Sequence, residues 1–277
     1  MTKSENKITV TPITPNIGAE ISGINISEAI DQTSYGVIHQ ALMDHQVIFF
    51  RDQEMTLEEH KAFGAQFGEL HIHPSYPPTD GHPEVMRLHT DANSTRIAGE
   101  DWHSDVTCDN EPPMGSILHL NTVPEAGGDT LFSSMYAAYD ALSDPMKDFL
   151  EGMTAHHSGE MAYRGRYKHL DVDDAGVEYP NNDHPVIRTH PVTKKKAIFV
   201  NGIFTSHIHG LKKAESDALL QMLFNHVAKP EFQVRFHWKP DSVAFWDNRC
   251  VQHYAIWDYF PQTRSGNRVT VCGDKPF

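Results

Sequence analysis

The stretch FQVRFHWKPDSVAFWDNRCVQHYA, residues 232–255, carries the pattern from which the fold class follows. FQVRFHW (232–238) alternates apolar and polar side chains, as do the flanks of SVAFW (242–246) and, further on, RVTVC (268–272). A period of two marks strands with one buried face, so the carboxy-terminal half reads as mainly β. Working outward, Lys213 to Val227 has helical spacing and residues 185–200 carry strand signals. Residues 158–184 are polar, rich in Gly, Asp and Asn, and have no period. They read as a long surface loop, of a length that suggests an active-site lid. SILHLNTV (116–123) reads as a strand, followed by Gly127-Gly128 and a helix through Tyr136, Tyr139 and Leu142. Ser143-Asp144-Pro145 then opens a short helix through Phe149 and Leu150.

Nearer the amino terminus, Thr56-x-x-Glu59 is a capping box leading to Phe63 and Phe67, with Gly68 as the stop. Val47–Phe50 is an apolar run of strand length. Asp31 to about His45 places Tyr35, Ile38, Ala41 and Leu42 on one helical face, and KITVTPITPNIGAEISGINI (7–26) reads as short strands with turns. No repeat or Gly/Ser linker divides the chain, so one domain over 1–277 is expected. Short strands with helices gathered in a few segments favour an antiparallel barrel or jelly roll, mainly β with flanking helices (α+β).

Composition narrows the function classes. A formal charge of -14 argues against broad attraction to nucleic acid or anionic membrane, so an anionic substrate needs a local cation. No apolar run approaches the roughly 18 residues of a membrane span, and MTKSENK lacks a signal peptide's apolar centre. Three cysteines without a CxxC spacing suit a reducing compartment, so a cytoplasmic protein is expected. The 19 histidines motivate a search for a metal site.

Trp102-His103-Ser104-Asp105 places an imidazole and a carboxylate two residues apart, on the same side of an extended segment. His253, after an apolar strand, offers a second imidazole, and two histidines with one carboxylate form the facial triad of non-haem Fe(II). Arg264 follows His253 by eleven residues and Arg268 comes four later; a guanidinium grips carboxylate or sulfonate through a planar fork.

His-x-Asp, a distant His and Arg at this offset resemble the Fe(II)/2-oxoglutarate-dependent dioxygenases of the taurine dioxygenase (TauD/TfdA) family. Similar strings run along most of the chain: LHIHPSYP (70–77), GGDTLFSSMYAAYD (127–140), HPVIRTHPVT (184–193), WDNRCVQHYA (246–255) and the terminal GDKPF. The resemblance implies a double-stranded β-helix (cupin-like) core, Fe(II) on His103, Asp105 and His253, and 2-oxoglutarate held by Arg264 with Thr130. It also implies consumption of O2, release of succinate and CO2, and a homo-oligomer. Arg268 would grip a substrate sulfonate beside His73, Tyr76, Val106 and Phe204, and Trp246 is either a wall of the site or core.

The chain departs from the taurine pattern at Gly99, where the family example has asparagine, and at Ala162 and Tyr163, where it has Ser-Phe. These changes remove polar groups expected near the taurine amine, which relaxes discrimination. The expected substrate is therefore a small organic anion, foremost a sulfonate that releases aldehyde and sulfite, with an alkyl sulfate or aryloxyalkanoate as alternatives. A zinc hydrolase could use the same triad but has no role for Arg264 and Thr130. His156, His157, His207 and His209 read as surface or packing residues, and His71 stays unassigned.

Overall fold

The computed structural model describes residues 7–277, so the leader reading of MTKSENK falls almost entirely outside the described residues. In chain order the elements are β1 (Thr9–Pro12), β2 (Ala19–Ser22), α1 (Gln32–His45), β3 (Val47–Phe50), α2 (Leu57–Ala65), β4 (Val85–Thr90), β5 (Gly115–Thr122), β6 (Thr130–Ser134), α3 (Met135–Asp140) and α4 (Asp144–Leu150). There follow β7 (Thr154–Ser158), α5 (Gly159–Tyr163), β8 (Asn181–Pro185), β9 (Ile187–Thr189), β10 (Lys196–Ile198), β11 (Thr205–Ile208) and α6 (Lys213–Val227). The chain closes with β12 (Gln233–Phe236), β13 (Ser242–Asp247), β14 (Val251–Ala255) and β15 (Arg264–Val271).

The expected class, mainly β with flanking helices, is what is observed. A seven-stranded sheet, ordered β1-β2-β3-β13-β5-β15-β4, is antiparallel except for the β2–β3 pair, and a three-stranded sheet is ordered β12-β6-β14. Alternation along the central strands explains the layering. Val47 and Phe49 of β3 and Ala244 and Trp246 of β13 join Phe132 of β6, Val251 of β14 and Phe236 of β12 in one apolar core. Their neighbours Ile48, Phe50, Val243 and Phe245 point to the other side and pack on Ile38 and Leu42 of α1 and Phe63 of α2. A strand covered on both faces has no reason to alternate in polarity, which is why VIFF is continuous. Phe49 and Phe236 stack at 3.9 Å between ring centres, joining the two sheets.

The predicted capping box is present, and the other helix ends differ in detail. Asp31 accepts from the Ser34 amide, and Thr56 and Glu59 form the reciprocal capping box. The second helix, however, ends at Ala65, before Gly68, and Ser143 makes no side-chain cap bond although Pro145 lies in the first turn of α4.

Two sequence expectations are corrected. TLFSS (130–134), to which the sequence reading gives no element between Gly128 and the helix, is the central strand of the smaller sheet. Ser134 closes that strand and also caps α3 by accepting from the Ala137 amide, so no turn residue separates the elements. Residues 158–184 are not a featureless surface loop: they contain α5, a 3-10 turn at Lys168–Leu170 and the start of β8. Tyr163, Tyr167 and Tyr179 from this segment are buried against Val106, Cys108 and Phe204. The order comes from these distant contacts, which local periodicity does not register. No helix among the described residues is long and apolar enough to cross a membrane.

Candidate active site

His253 follows the apolar β13 and sits within β14, beside β6, which carries Thr130; in register, His253 faces Phe132 and Ala255 faces Thr130. His103 joins the free edge of β14 through a single reciprocal bridge, with amide to carbonyl distances of 3.2 Å and 2.8 Å to His253. The segment is extended only there. At Asp105 it enters a turn in which Val106 adopts φ 49, a conformation rare for a β-branched residue, so the two ligands do not project from a common strand as expected. They meet nonetheless: candidate ligand atoms of His103, Asp105 and His253 lie within 4.8 Å of one another, and all three residues are buried. Strain one residue from a candidate ligand is a recurrent property of functional sites.

A web of neutral donors fixes the carboxylate. Ser116 Oγ on β5 donates to Asp105 Oδ2 at 2.8 Å, Asn248 Nδ2 donates to Ser116 Oγ at 3.0 Å, and the Asp105 amide donates to Asn248 Oδ1 at 3.1 Å. Trp246 Nε1 also donates to Asn248 Oδ1, and its ring lies 4.7 Å from that of His253. Trp246 is therefore both wall and core. Burial alone would raise the Asp105 carboxyl, but Arg268, 2.6 Å from Oδ1, together with His253, His103 and Ser116, outweighs it and holds the group ionised, well below the usual carboxylate range. Burial pushes both imidazoles below their ordinary value, keeping them neutral near pH 7. Protonated on Nδ1, the neutral His103 ring donates from that nitrogen to the Asp101 carbonyl at 2.8 Å, which leaves Nε2 with a free lone pair. His253 has a buried Nδ1 with no hydrogen-bond partner among the described residues. Two neutral nitrogens, one of them orphaned, and one carboxylate oxygen fit a divalent first-row metal.

Arg264 and Arg268 are four residues apart on β15, hence on the same face of the strand. Arg264 is buried, and among the described residues no carboxylate lies within ion-pair distance of it. Its Nε donates to the Gly128 carbonyl at 3.0 Å and its Nη2 to Thr130 Oγ1 at 3.2 Å; Trp238 Nε1 donates to the same hydroxyl at 3.0 Å. Both lone pairs of Thr130 Oγ1 are thus engaged and its proton is free to be donated. A buried guanidinium without a counter-charge is unfavourable alone and calls for an anionic ligand. Arg268 already has one anion, Asp105, but its Nε is buried without an acceptor among the described residues.

A cavity of about 70 Å³ is lined by His103, Asp105 and His253 together with Thr130, Arg264, Arg268, His73, Val106, Phe204 and Trp246. Gly99, Ala162 and Tyr163, the three departures from the taurine pattern, line it too. Gly99 has φ +82, and a Cβ there would lie 3.2 Å from His103 Cε1. His73 Nδ1 accepts from the amides of Ser75 and Tyr76, and burial followed by the Arg268 charge pushes its pKa down to about 3, so a neutral ring presents Nε2–H as a donor. Tyr76 is the one expected residue that does not line the cavity. Its hydroxyl donates to the Arg87 carbonyl and its ring packs on Tyr167. It borders an adjoining pocket of about 750 Å³ that shares Leu88, Ala98, Arg166, Tyr167 and Arg264 with the first. Sequence reasoning did not single out Ser116, Asn248 or Trp238 for the site; Asn248 lies inside a string already matched to the family, but nothing local marks the partners of these residues.

Residues 9–271 match the taurine catabolism dioxygenase TauD, TfdA family. The chain is 35% identical over 280 residues to the alpha-ketoglutarate-dependent sulfate ester dioxygenase of Pseudomonas putida, covering 98% of this chain and 91% of the relative. It is 35% identical over 294 residues to the alpha-ketoglutarate-dependent sulfonate dioxygenase of Saccharomyces cerevisiae, covering 98% and 68%. A taurine dioxygenase structure from Burkholderia xenovorans superposes with a TM-score of 0.83 at 37% identity, covering 97% of this chain and 92% of that one. The chain belongs to the TauD/TfdA family of Fe(II)/2-oxoglutarate-dependent dioxygenases. That membership sets aside the zinc hydrolase reading, which also leaves Arg264 without a purpose.

Proposed function

We propose that this enzyme oxidises a small sulfonate at the carbon bearing sulfur, so that the hydroxylated product collapses to an aldehyde and sulfite. The observation that carries the reading is the buried Arg264, without a carboxylate partner among the described residues, in the same cavity as two neutral imidazoles and an ionised carboxylate. His103, Asp105 and His253 would hold Fe(II), which when bound with 2-oxoglutarate and O2 would supply the oxidant, 2-oxoglutarate leaving as succinate and CO2. Arg264 presents its remaining N–H groups, and Thr130 its proton, to the distal carboxylate of 2-oxoglutarate, giving that co-substrate one orientation. Arg268 and the His73 Nε2–H hold the sulfonate; the acceptor-free Arg268 Nε supports this assignment. Val106, Phe204 and Tyr163 present apolar surface to the carbon chain and exclude water. Tyr76 acts from behind, by packing on Tyr167. The folded 158–184 segment supplies Ala162, Tyr163 and Tyr167 to the cavity wall, which supports its reading as a lid within a single domain. Free cysteines at 108, 250 and 272 support a reducing, cytoplasmic setting.

Likeness to a sulfate ester dioxygenase supports alkyl sulfates as the second substrate class. Incubation of the Fe(II)-loaded enzyme with 2-oxoglutarate and panels of sulfonates, alkyl sulfates and aryloxyacetates separates the classes by product. Sulfite is expected. Sulfate or phenol release with no sulfite from any sulfonate would overturn the proposal.

A further inference from the structure

On the β11-β7-β8 sheet, away from this cavity, a second group of metal-binding side chains lies together. His156 of β7 is paired in register with Asp183 of β8 on one side and with His207 of β11 on the other. Residues paired directly across strands project from the same face, so imidazole, imidazole and carboxylate form a row. His209, one residue beyond β11, completes the group: its ring lies 4.9 Å from that of His207 and 6.3 Å from that of His156. Asp183 Oδ1 lies 2.8 Å from His156 Nδ1 and 2.9 Å from His209 Nε2, and the ligand atoms of these three residues all fall within 4.8 Å. The side chains are 31%, 53% and 40% exposed for His156, Asp183 and His209, so an ion can reach them from solvent.

We propose that His156, Asp183 and His209, with the His207 imidazole available as a fourth ligand, form a second site for a divalent transition ion of the imidazole-preferring kind. The donor set selects the class. Nitrogen-rich ligation suits Zn²⁺, Ni²⁺ or Cu²⁺, whereas Ca²⁺ and Mg²⁺ require mostly oxygen. The two hydrogen bonds now converging on Asp183 Oδ1 hold the donors in place, and an ion replaces them. The location gives the site a consequence. β7 ends at Ser158 and β8 begins at Asn181, so a bound ion ties together both ends of the segment that supplies Ala162, Tyr163 and Tyr167 to the active cavity. On the opposite face of β7, His157 is 2.9 Å from Thr107 Oγ1, two residues beyond Asp105.

The test uses the full chain dialysed against micromolar free Zn²⁺, with bound metal measured by elemental analysis. Wild type is expected to retain one equivalent more than H156Q/H209Q, and the more conservative D183N to lose the same equivalent. In the Fe(II)-loaded enzyme, added Zn²⁺ is expected to slow proteolytic cleavage within 159–180 in wild type and not in H156Q/H209Q. Equal Zn²⁺ stoichiometry in wild type and H156Q/H209Q would overturn the site. Cleavage unaffected by Zn²⁺ would overturn its coupling to the segment.

Discussion

Replacing Arg264 by glutamine separates two contributions that a structural cation would not separate. Of the five guanidinium N–H groups, Arg264 commits two, to the Gly128 carbonyl and Thr130 Oγ1, leaving a fork of three for a ligand. Truncating one partner of a buried charge pair costs about 2–5 kcal/mol. At 1.4 kcal/mol per tenfold, the 2-oxoglutarate dissociation constant should rise about 30-fold to several thousand-fold. The ligand-free protein, relieved of a buried and uncompensated charge, should stay within about 1 kcal/mol of wild type or gain stability. Anaerobic calorimetric titration with Mn²⁺ in place of Fe²⁺ gives the first quantity and urea denaturation of the ligand-free chain the second. Affinity within threefold of wild type, or a ligand-free loss of several kcal/mol, would refute the argument that Arg264 awaits a ligand.

Asn248→Ala removes the group that links Asp105, Ser116 and Trp246, and metal affinity should fall about 10- to 100-fold on titration; unchanged affinity would count against the positioning role. Burial first, and His119 second, push the His60 pKa down to about 3, against about 6.5 in the unfolded chain. The unfolded state therefore binds the extra proton, and stability falls as pH drops below about 6.5, by about 2 kcal/mol between pH 7.5 and pH 5 from this residue. H60Q should show a correspondingly shallower pH dependence in urea titrations; an identical slope would contradict it. Phe236→Ala, which deletes the ring stacked at 3.9 Å on Phe49, should destabilise by about 3–5 kcal/mol in the same assay. A loss below 1 kcal/mol would mean that the two sheets do not depend on this contact.

Much of the fold was legible because its signals are local. The alternation of β12, the apolar run of β3 and the capping box of α2 are each written within a few residues. β6 was not legible, because Thr130–Ser134 runs into α3 with one serine serving both elements. The candidate ligands were found through a family pattern spanning His103 to Arg268, since nothing local indicates that residues some 150 positions apart share a bridge. The segment carrying His103 and Asp105 is extended only at the His103 bridge and turns from Asp105 onward, yet the two side chains still converge as inferred. Tyr76 shows the same limit: motif position places it near the pocket, but the direction of its side chain is set by Arg87 and Tyr167.

The account rests on Fe(II) and 2-oxoglutarate meeting at His103, Asp105 and His253, and anaerobic absorption spectroscopy tests this most directly. A weak visible charge-transfer band should appear only when Fe(II) and 2-oxoglutarate are both present, should shift as a sulfonate substrate is added, and should vanish in His253→Ala. A band that persists in that variant, or that never forms in wild type, would contradict the account.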